Sequence, residues 1–98
     1  MGLFGKTDIN QGLEEFKKTP GALLFDVRTR DEYFENHIPG AFNIPMDELK
    51  EIDIPKETPI FLYCLRGTRS KRAEGILKKQ GFVNAKSIGG ITGYKGEK

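Results

Sequence analysis

The sequence predicts one α/β domain in which a parallel sheet lies between helices on both faces. Three observations carry this prediction. Short apolar runs of strand length alternate with stretches of helical spacing. Turn residues, among them Pro20-Gly21, Pro39-Gly40 and Gly89-Gly90, punctuate the alternation. The length of 98 residues suits a single domain covering positions 1–98.

Taken in order, Asp8 or Asn10 can cap a first helix through Leu13, Glu14, Phe16 and Lys17, which Thr19-Pro20-Gly21 ends. Residues 22–27 form a nearly continuous apolar run, too short for a helix, and read as a buried parallel strand. Thr29 or Arg30 opens a short helix through Glu32, Tyr33 and Phe34, and the Thr29-to-Glu32 spacing matches a capping box. His37-Ile38-Pro39-Gly40 is a turn, residues 41–44 are a short strand stopped by Pro45, and Met46–Glu51 is a short helix. Residues 60–63 are a strand with Cys64 at its C-terminal end, followed by a loop through Gly67. A helix over Thr68–Lys79 presents Ala73, Ile76, Leu77 and Gln80 on one face, with Gly81 as its C′ residue and Lys78 and Lys79 in its last turn. Residues 85–88 are the last strand, and Gly89-Gly90 turns the chain after it.

The composition, 37% hydrophobic and 31% charged, is that of a globular protein. No apolar run approaches membrane-spanning length, and Met1-Gly2-Leu3-Phe4-Gly5-Lys6 lacks the apolar core of a secretory signal. A single cysteine excludes an intramolecular disulfide and a cysteine-built zinc site, and a free thiol suits a reducing compartment. A cytoplasmic protein without metal or cofactor is therefore expected, and a monomer, since no apolar stripe stands out. Residues 1–63 hold 7 Lys/Arg against 12 Asp/Glu, a net of −5, whereas residues 64–98 hold 9 against 2, a net of +7. The sign changes at Cys64. No aromatic residues interleave with the positive charges, so a solvated basic helix or a small anionic substrate fits this half better than nucleic acid.

A lone cysteine is commonly an inert, buried hydrophobe. Four features argue otherwise for Cys64. In open parallel sheets ligands bind beyond the carboxyl ends of strands, where Cys64 lies. The following helix directs its N-terminal N–H groups and partial positive charge at the sulfur. Arg66 and Arg69 favour a thiolate. Gly67 admits positive φ, so the backbone of residues 65–69 can form a cradle for an anion. Together these describe a thiolate nucleophile in an anion-binding loop. The one histidine, His37, reads as a turn residue, because a preformed thiolate needs no base.

Asp26-Val27-Arg28, Glu32-Tyr33, His37-Ile38-Pro39-Gly40-Ala41, Asn43-Ile44-Pro45, Tyr63-Cys64, Gly67, Arg69-Ser70, Gly81-Phe82 and Gly89-Gly90, in this order, resemble the rhodanese family of sulfurtransferases over roughly residues 8–96. The resemblance implies a three-layer α/β/α sandwich around a five-stranded, mostly parallel sheet. It implies Cys64 as catalytic residue and Cys64-Leu65-Arg66-Gly67-Thr68-Arg69 as active-site loop. The implied reaction moves sulfane sulfur from a small anionic donor such as thiosulfate, through a Cys64 persulfide, to cyanide, a thiol or a protein acceptor. Arg66 or Arg69 would hold the donor's oxygens. Behind the loop, Asp26 is expected to accept backbone or arginine hydrogen bonds, Arg28 to pair with Glu32, and Ser70 to serve the first helical turn. Thr68 either caps that helix or touches substrate. Two departures stand out: Asn36 replaces the usual glycine, and Tyr94 takes the place of a tryptophan. The final helix is expected to be short or absent. Phosphatases and arsenate reductases of related fold place five residues between Cys and Arg. The four between Cys64 and Arg69 make a smaller cradle, suited to one outer sulfur. A binding, regulatory or sulfur-relay module is the alternative of a different class.

Overall fold

A computed structural model describes residues 7–98, so the reading of residues 1–6 lies outside the described residues. The elements run α1 (Ile9–Lys18), β1 (Leu23–Asp26), α2 (Arg30–Glu35), β2 (Phe42–Asn43), a 3-10 helix at Met46–Glu51, β3 (Ile60–Cys64), α3 (Thr68–Lys79), β4 (Ala85–Gly90) and a 3-10 turn at Ile91–Gly93. The sheet order is β2-β1-β3-β4, and every pairing is parallel.

Capping explains the helix boundaries. Asp8 is the N-cap of α1, accepting from the Asn10 N–H at 2.9 Å, and Thr19 ends the helix. Thr29 and Glu32 form the capping box of α2: the Glu32 N–H reaches Thr29 Oγ1 at 3.2 Å, and the Thr29 N–H reaches Glu32 Oε1 at 2.9 Å. Gly81, at φ 103, follows α3 where a left-handed residue is needed. Asn36 closes α2 at φ −167 and ψ 155, extended backbone that any residue adopts, so glycine is not required there.

Strand periodicity sorts the core into two layers. Ile60, Leu62 and Cys64 of β3 face one side, with Phe25, Leu49, Ala73, Leu77 and Phe82. Phe61 and Tyr63 face the other, with Ile9, Leu13, Leu24, Ile38, Ile88 and Ile91. Helix α1 covers the second layer, while α3 and the 3-10 helix cover the first. This is the expected three-layer α/β/α arrangement.

Three expectations change. The sheet has four strands among the described residues, not five: Thr7 already leads into the Asp8 cap, and Pro45, which has no N–H to donate, follows β2 closely. Gly89 and Gly90 do not turn the chain. They extend β4, pairing with Tyr63 and Cys64 beyond a bulge at Ile88. Met46–Glu51 is a 3-10 rather than an α-helix. The last helix is reduced to the single 3-10 turn at Ile91–Gly93, while Tyr94 packs against the second core layer.

Candidate active site

Cys64 is the last residue of β3 and is 1% exposed. Its Sγ accepts hydrogen bonds from the Gly67 N–H at 3.0 Å and the Ser70 N–H at 3.4 Å. The Cys64 thiol donates to Ser70 Oγ at 3.7 Å. Two backbone dipoles at the start of α3 thus converge on the sulfur, the arrangement that stabilises negative charge there. Gly67 makes the convergence possible. Its φ of 104 is the left-handed geometry a side chain resists, and it reverses the chain between strand and helix.

The loop is seated from behind by glycine and serine. A Cβ on Gly90 would lie 2.3 Å from Leu65 O and 2.5 Å from Arg66 Cα, so only glycine lets β4 approach the loop backbone this closely. The Thr92 N–H donates to Leu65 O at 3.2 Å on the same side. Ser70 is buried, donates to Gly67 O at 3.1 Å and shares a 2.7 Å hydrogen bond with Ser87 Oγ. The Ser87 N–H is held by Glu74 Oε1 at 2.7 Å. Burial pulls the Glu74 carboxyl up, but this N–H and Lys78 outweigh it and hold it below the usual range.

The charged residues sort differently from the expectation. Arg28 does not pair with Glu32. It is buried, and its guanidinium grips the buried Asp26 carboxylate, with Nη2 to Oδ2 at 2.7 Å and Nε to Oδ1 at 3.0 Å. The Arg28 Nη2 also donates to Asn36 O at 2.7 Å. Val27 continues the β1 pairing through its N–H to Tyr63 O, so Asp26 and Arg28, two positions apart on extended backbone, share one face and form one buried pair, which helical spacing could not predict. Burial works against the Arg28 charge, yet the hydrogen bond and charge of Asp26 prevail and raise its pKa. Asp26 takes its expected role as an acceptor.

Glu32 instead pairs with Arg69, in a fork of Nη1 to Oε1 at 2.7 Å and Nη2 to Oε2 at 2.9 Å. The Arg69 hydrogen bond, only partly opposed by burial, lowers the Glu32 carboxyl from its ordinary 4.5 to about 2. Arg69 is raised in turn, first by the same bond. The clasp ties α3 to α2. Sequence reasoning read Glu32 as a cap residue only, and it does both: Oε1 holds Thr29 as well as Arg69.

Cys64, Leu65, Arg66, Thr68 and Arg69 line one shallow pocket of about 290 Å³. The whole expected loop is therefore assembled, with Gly67 contributing its N–H beneath it. Thr68 is not the cap of α3, since Gly67 occupies that position, and Thr68 faces the pocket. His37 stays a turn residue: its ring stacks on Tyr33 at 3.7 Å, and Nδ1 lies 2.9 Å from Tyr33 O. Tyr63 accepts from the Ile38 N–H at 3.0 Å, and burial pushes its phenol up. Sequence reasoning missed Ser87 and Gly90. A Gly-Gly pair after a strand was the one available signal for the second.

Comparison with known proteins places this geometry. The rhodanese-like domain family model matches residues 10–97. The thiosulfate sulfurtransferase PspE of Escherichia coli is 36% identical over 70 residues, covering 67% of this chain and 67% of PspE. The adenylyltransferase and sulfurtransferase uba4 of Ogataea parapolymorpha is 35% identical over 99 residues, covering 90% of this chain, which spans only 25% of that longer protein. The human single-domain sulfurtransferase TSTD1 superposes with a TM-score of 0.77 at 26% identity, over 86% of this chain and 89% of that one. A buried cysteine at the end of a parallel strand, cradled by the backbone of the next helix, thus occurs here in a chain that belongs to the rhodanese-like domain family.

Proposed function

We propose that the protein is a thiosulfate sulfurtransferase that carries sulfur on Cys64. The Cys64 thiolate attacks the outer sulfur of thiosulfate. The sulfur–sulfur bond of the donor breaks, and sulfite leaves with its electron pair. An anionic persulfide remains on Cys64. Cyanide or a thiol then bonds to the outer sulfur, and the electron pair of the cleaved bond returns to Sγ. Neither step needs a metal or an external oxidant.

The observation that carries this reading is the convergence of the Gly67 and Ser70 N–H groups on Sγ at the floor of an anion-sized pocket. The same dipoles favour the thiolate that attacks and the thiolate that leaves. Arg66 holds the sulfonate oxygens of the donor, because Arg69 already spends both terminal nitrogens on Glu32. Thr68 supplies a hydroxyl at the same pocket wall. Asp26, Arg28 and Ser70 position the strand end and loop from behind.

A second reading, sulfur relay to a protein acceptor, draws on the likeness to uba4, whose name joins sulfur transfer to adenylyl transfer. Both readings use the Cys64 persulfide. Intact-mass measurement after mixing with thiosulfate tests them together: a gain of one sulfur atom, removed by a thiol, is expected. Cys64→Ser is expected to gain none and to lose thiosulfate:cyanide turnover. Sulfur uptake or substantial turnover by that variant removes Cys64 from the role.

A further inference from the structure

Behind the sulfur, two hydroxyls continue the hydrogen bonding into β4. Ser70 Oγ lies 3.7 Å from Cys64 Sγ and 2.7 Å from Ser87 Oγ, so the three side chains form one chain from the end of β3 to β4. Cys64 and Ser70 are buried, whereas Ser87 is half-buried and lines a cavity of about 1010 Å³. The Ser87 backbone is fixed by its N–H to Glu74 Oε1 at 2.7 Å. Its hydroxyl has Ser70 Oγ as its one partner among the described residues.

A hydroxyl has one proton to give and two lone pairs to receive. While Cys64 is a thiol, its S–H donates to Ser70 Oγ, and the Ser70 O–H goes to Gly67 O at 3.1 Å. Once the thiol proton has left for water, the requirement reverses. The Ser70 O–H turns to the sulfur and joins the Gly67 and Ser70 N–H groups there. Gly67 O keeps a donor, because the Lys71 N–H also reaches it at 3.1 Å. Ser70 Oγ, with its own proton committed, now needs a donor itself. Two of its neighbours are Gly67 O and, at 3.4 Å, Gly89 O, and a carbonyl has no proton to give. Among the described residues, Ser87 carries the one proton that can reach it. A buried oxygen left without a donor is costly, so losing the Ser87 hydroxyl penalises the thiolate and not the thiol.

We infer that Ser87 is a positioning residue for Cys64: by donating to Ser70 Oγ, its hydroxyl lets the Ser70 hydroxyl serve the sulfur anion. In catalysis this anion is both the thiolate that attacks and the thiolate that leaves, a consequence that rests on the sulfur-transfer reading above. The charged groups around the site stand apart from this chain. Arg66 and Arg69 line the pocket over Cys64, with Arg69 tied to Glu32 of α2. The Asp26–Arg28 pair closes the neighbouring strand end, and Glu74 of α3 holds the Ser87 backbone. A change confined to the Ser87 side chain removes none of them.

The test compares Ser87→Thr with Ser87→Val, two β-branched side chains of one shape that suit a strand and differ in the hydroxyl alone. Alkylation by iodoacetamide is followed across pH by intact mass, and Cys64 is the only thiol it can read. The midpoint of Ser87→Val is expected about one pH unit above that of the unaltered protein, about tenfold less thiolate, the worth of one hydrogen bond. Ser87→Thr is expected to stay within a few tenths of a unit of the unaltered protein. Sulfur uptake from thiosulfate is expected to fall about tenfold in Ser87→Val below the midpoint and to recover at high pH, where a merely structural defect would persist. Coincident profiles for the two variants overturn the inference. So does an undiminished shift when Ser87→Val is added to Ser70→Ala, because Ser87 acts through the Ser70 hydroxyl. A thermal melt confirms folding, and if Ser87→Val does not fold, Ser87→Ala is read by the same criteria. The shift without sulfur uptake by the unaltered protein ends the sulfur-transfer reading alone, whereas uptake without the shift ends this inference alone.

Discussion

In the proposed chemistry Cys64 depends on what surrounds it, and each neighbour has a separate physical reason. Gly67 supplies a left-handed turn, and Gly90 supplies room. Gly67→Ala is expected to disturb the cradle through φ, costing about 1 kcal/mol or more of stability and a larger share of kcat. Gly90→Ala acts by collision, because its Cβ would meet Leu65 O and Arg66 Cα, backbone atoms that cannot rotate away. It is expected to lower kcat by at least about tenfold, through displacement of the loop that positions Sγ. Steady-state kinetics with thiosulfate and cyanide check both, and unchanged turnover in Gly90→Ala would remove β4 from any role in seating the loop. At this scale the chain announced Cys64 and Gly67, whose signals are local. It did not announce Gly90 or Ser87, which meet the loop only because β4 pairs with β3.

At the scale of elements, the site is held by two ion pairs of different kinds. Asp26 and Arg28 fix the end of β1 in the interior, where each charge depends on the other. Asp26→Ala is expected to destabilise the fold by about 3–5 kcal/mol, because it leaves the Arg28 guanidinium buried and unpaired. Urea unfolding measures it, and a loss below about 1 kcal/mol would mean that Arg28 escapes to solvent. Glu32 and Arg69 instead join α2 to α3 at the pocket wall. Glu32→Gln is expected to weaken this clasp and free Arg69 toward the pocket. The KM for thiosulfate should then change more than the KM for cyanide, and equal changes would deny the freed arginine any contact with the donor. The helices themselves were legible: α3 runs over Thr68–Lys79 as its periodicity and Gly81 predict. The partners of Arg28 and Glu32 were not, because ion pairing follows the path of the backbone and not the spacing of charges.

For the whole molecule, the Glu32–Arg69 clasp makes stability depend on acid. The Glu32 carboxyl is lowered in the folded state from its ordinary 4.5 to about 2, so the folded chain holds fewer protons there than the unfolded chain. Its contribution is complete above about pH 5 and is lost as pH falls toward 2. The difference in urea midpoint between the unaltered protein and Glu32→Gln is therefore expected to be full at neutral pH and to shrink steadily from about pH 5 toward pH 2. An undiminished difference near pH 2 would place the stabilisation outside this carboxylate. Leu77, fully buried where α3 meets the sheet, reports on the core: Leu77→Ala is expected to cost about 2–5 kcal/mol in the same measurement. The sequence by itself determined the α/β class, the helix and strand types along most of the chain, and the place of Cys64 at a strand end before the N-terminus of α3. Those follow from apolar periodicity, capping and turn residues, all of them properties of neighbours in the chain. Tertiary structure alone decided the number of strands, the extension of β4 through Gly89-Gly90, the exchange of partners between Arg28, Glu32 and Arg69, and the meeting of Ser70 with Ser87 behind Cys64. Those depend on which strands pair and on how closely two backbones approach, and a linear pattern of residue types carries neither.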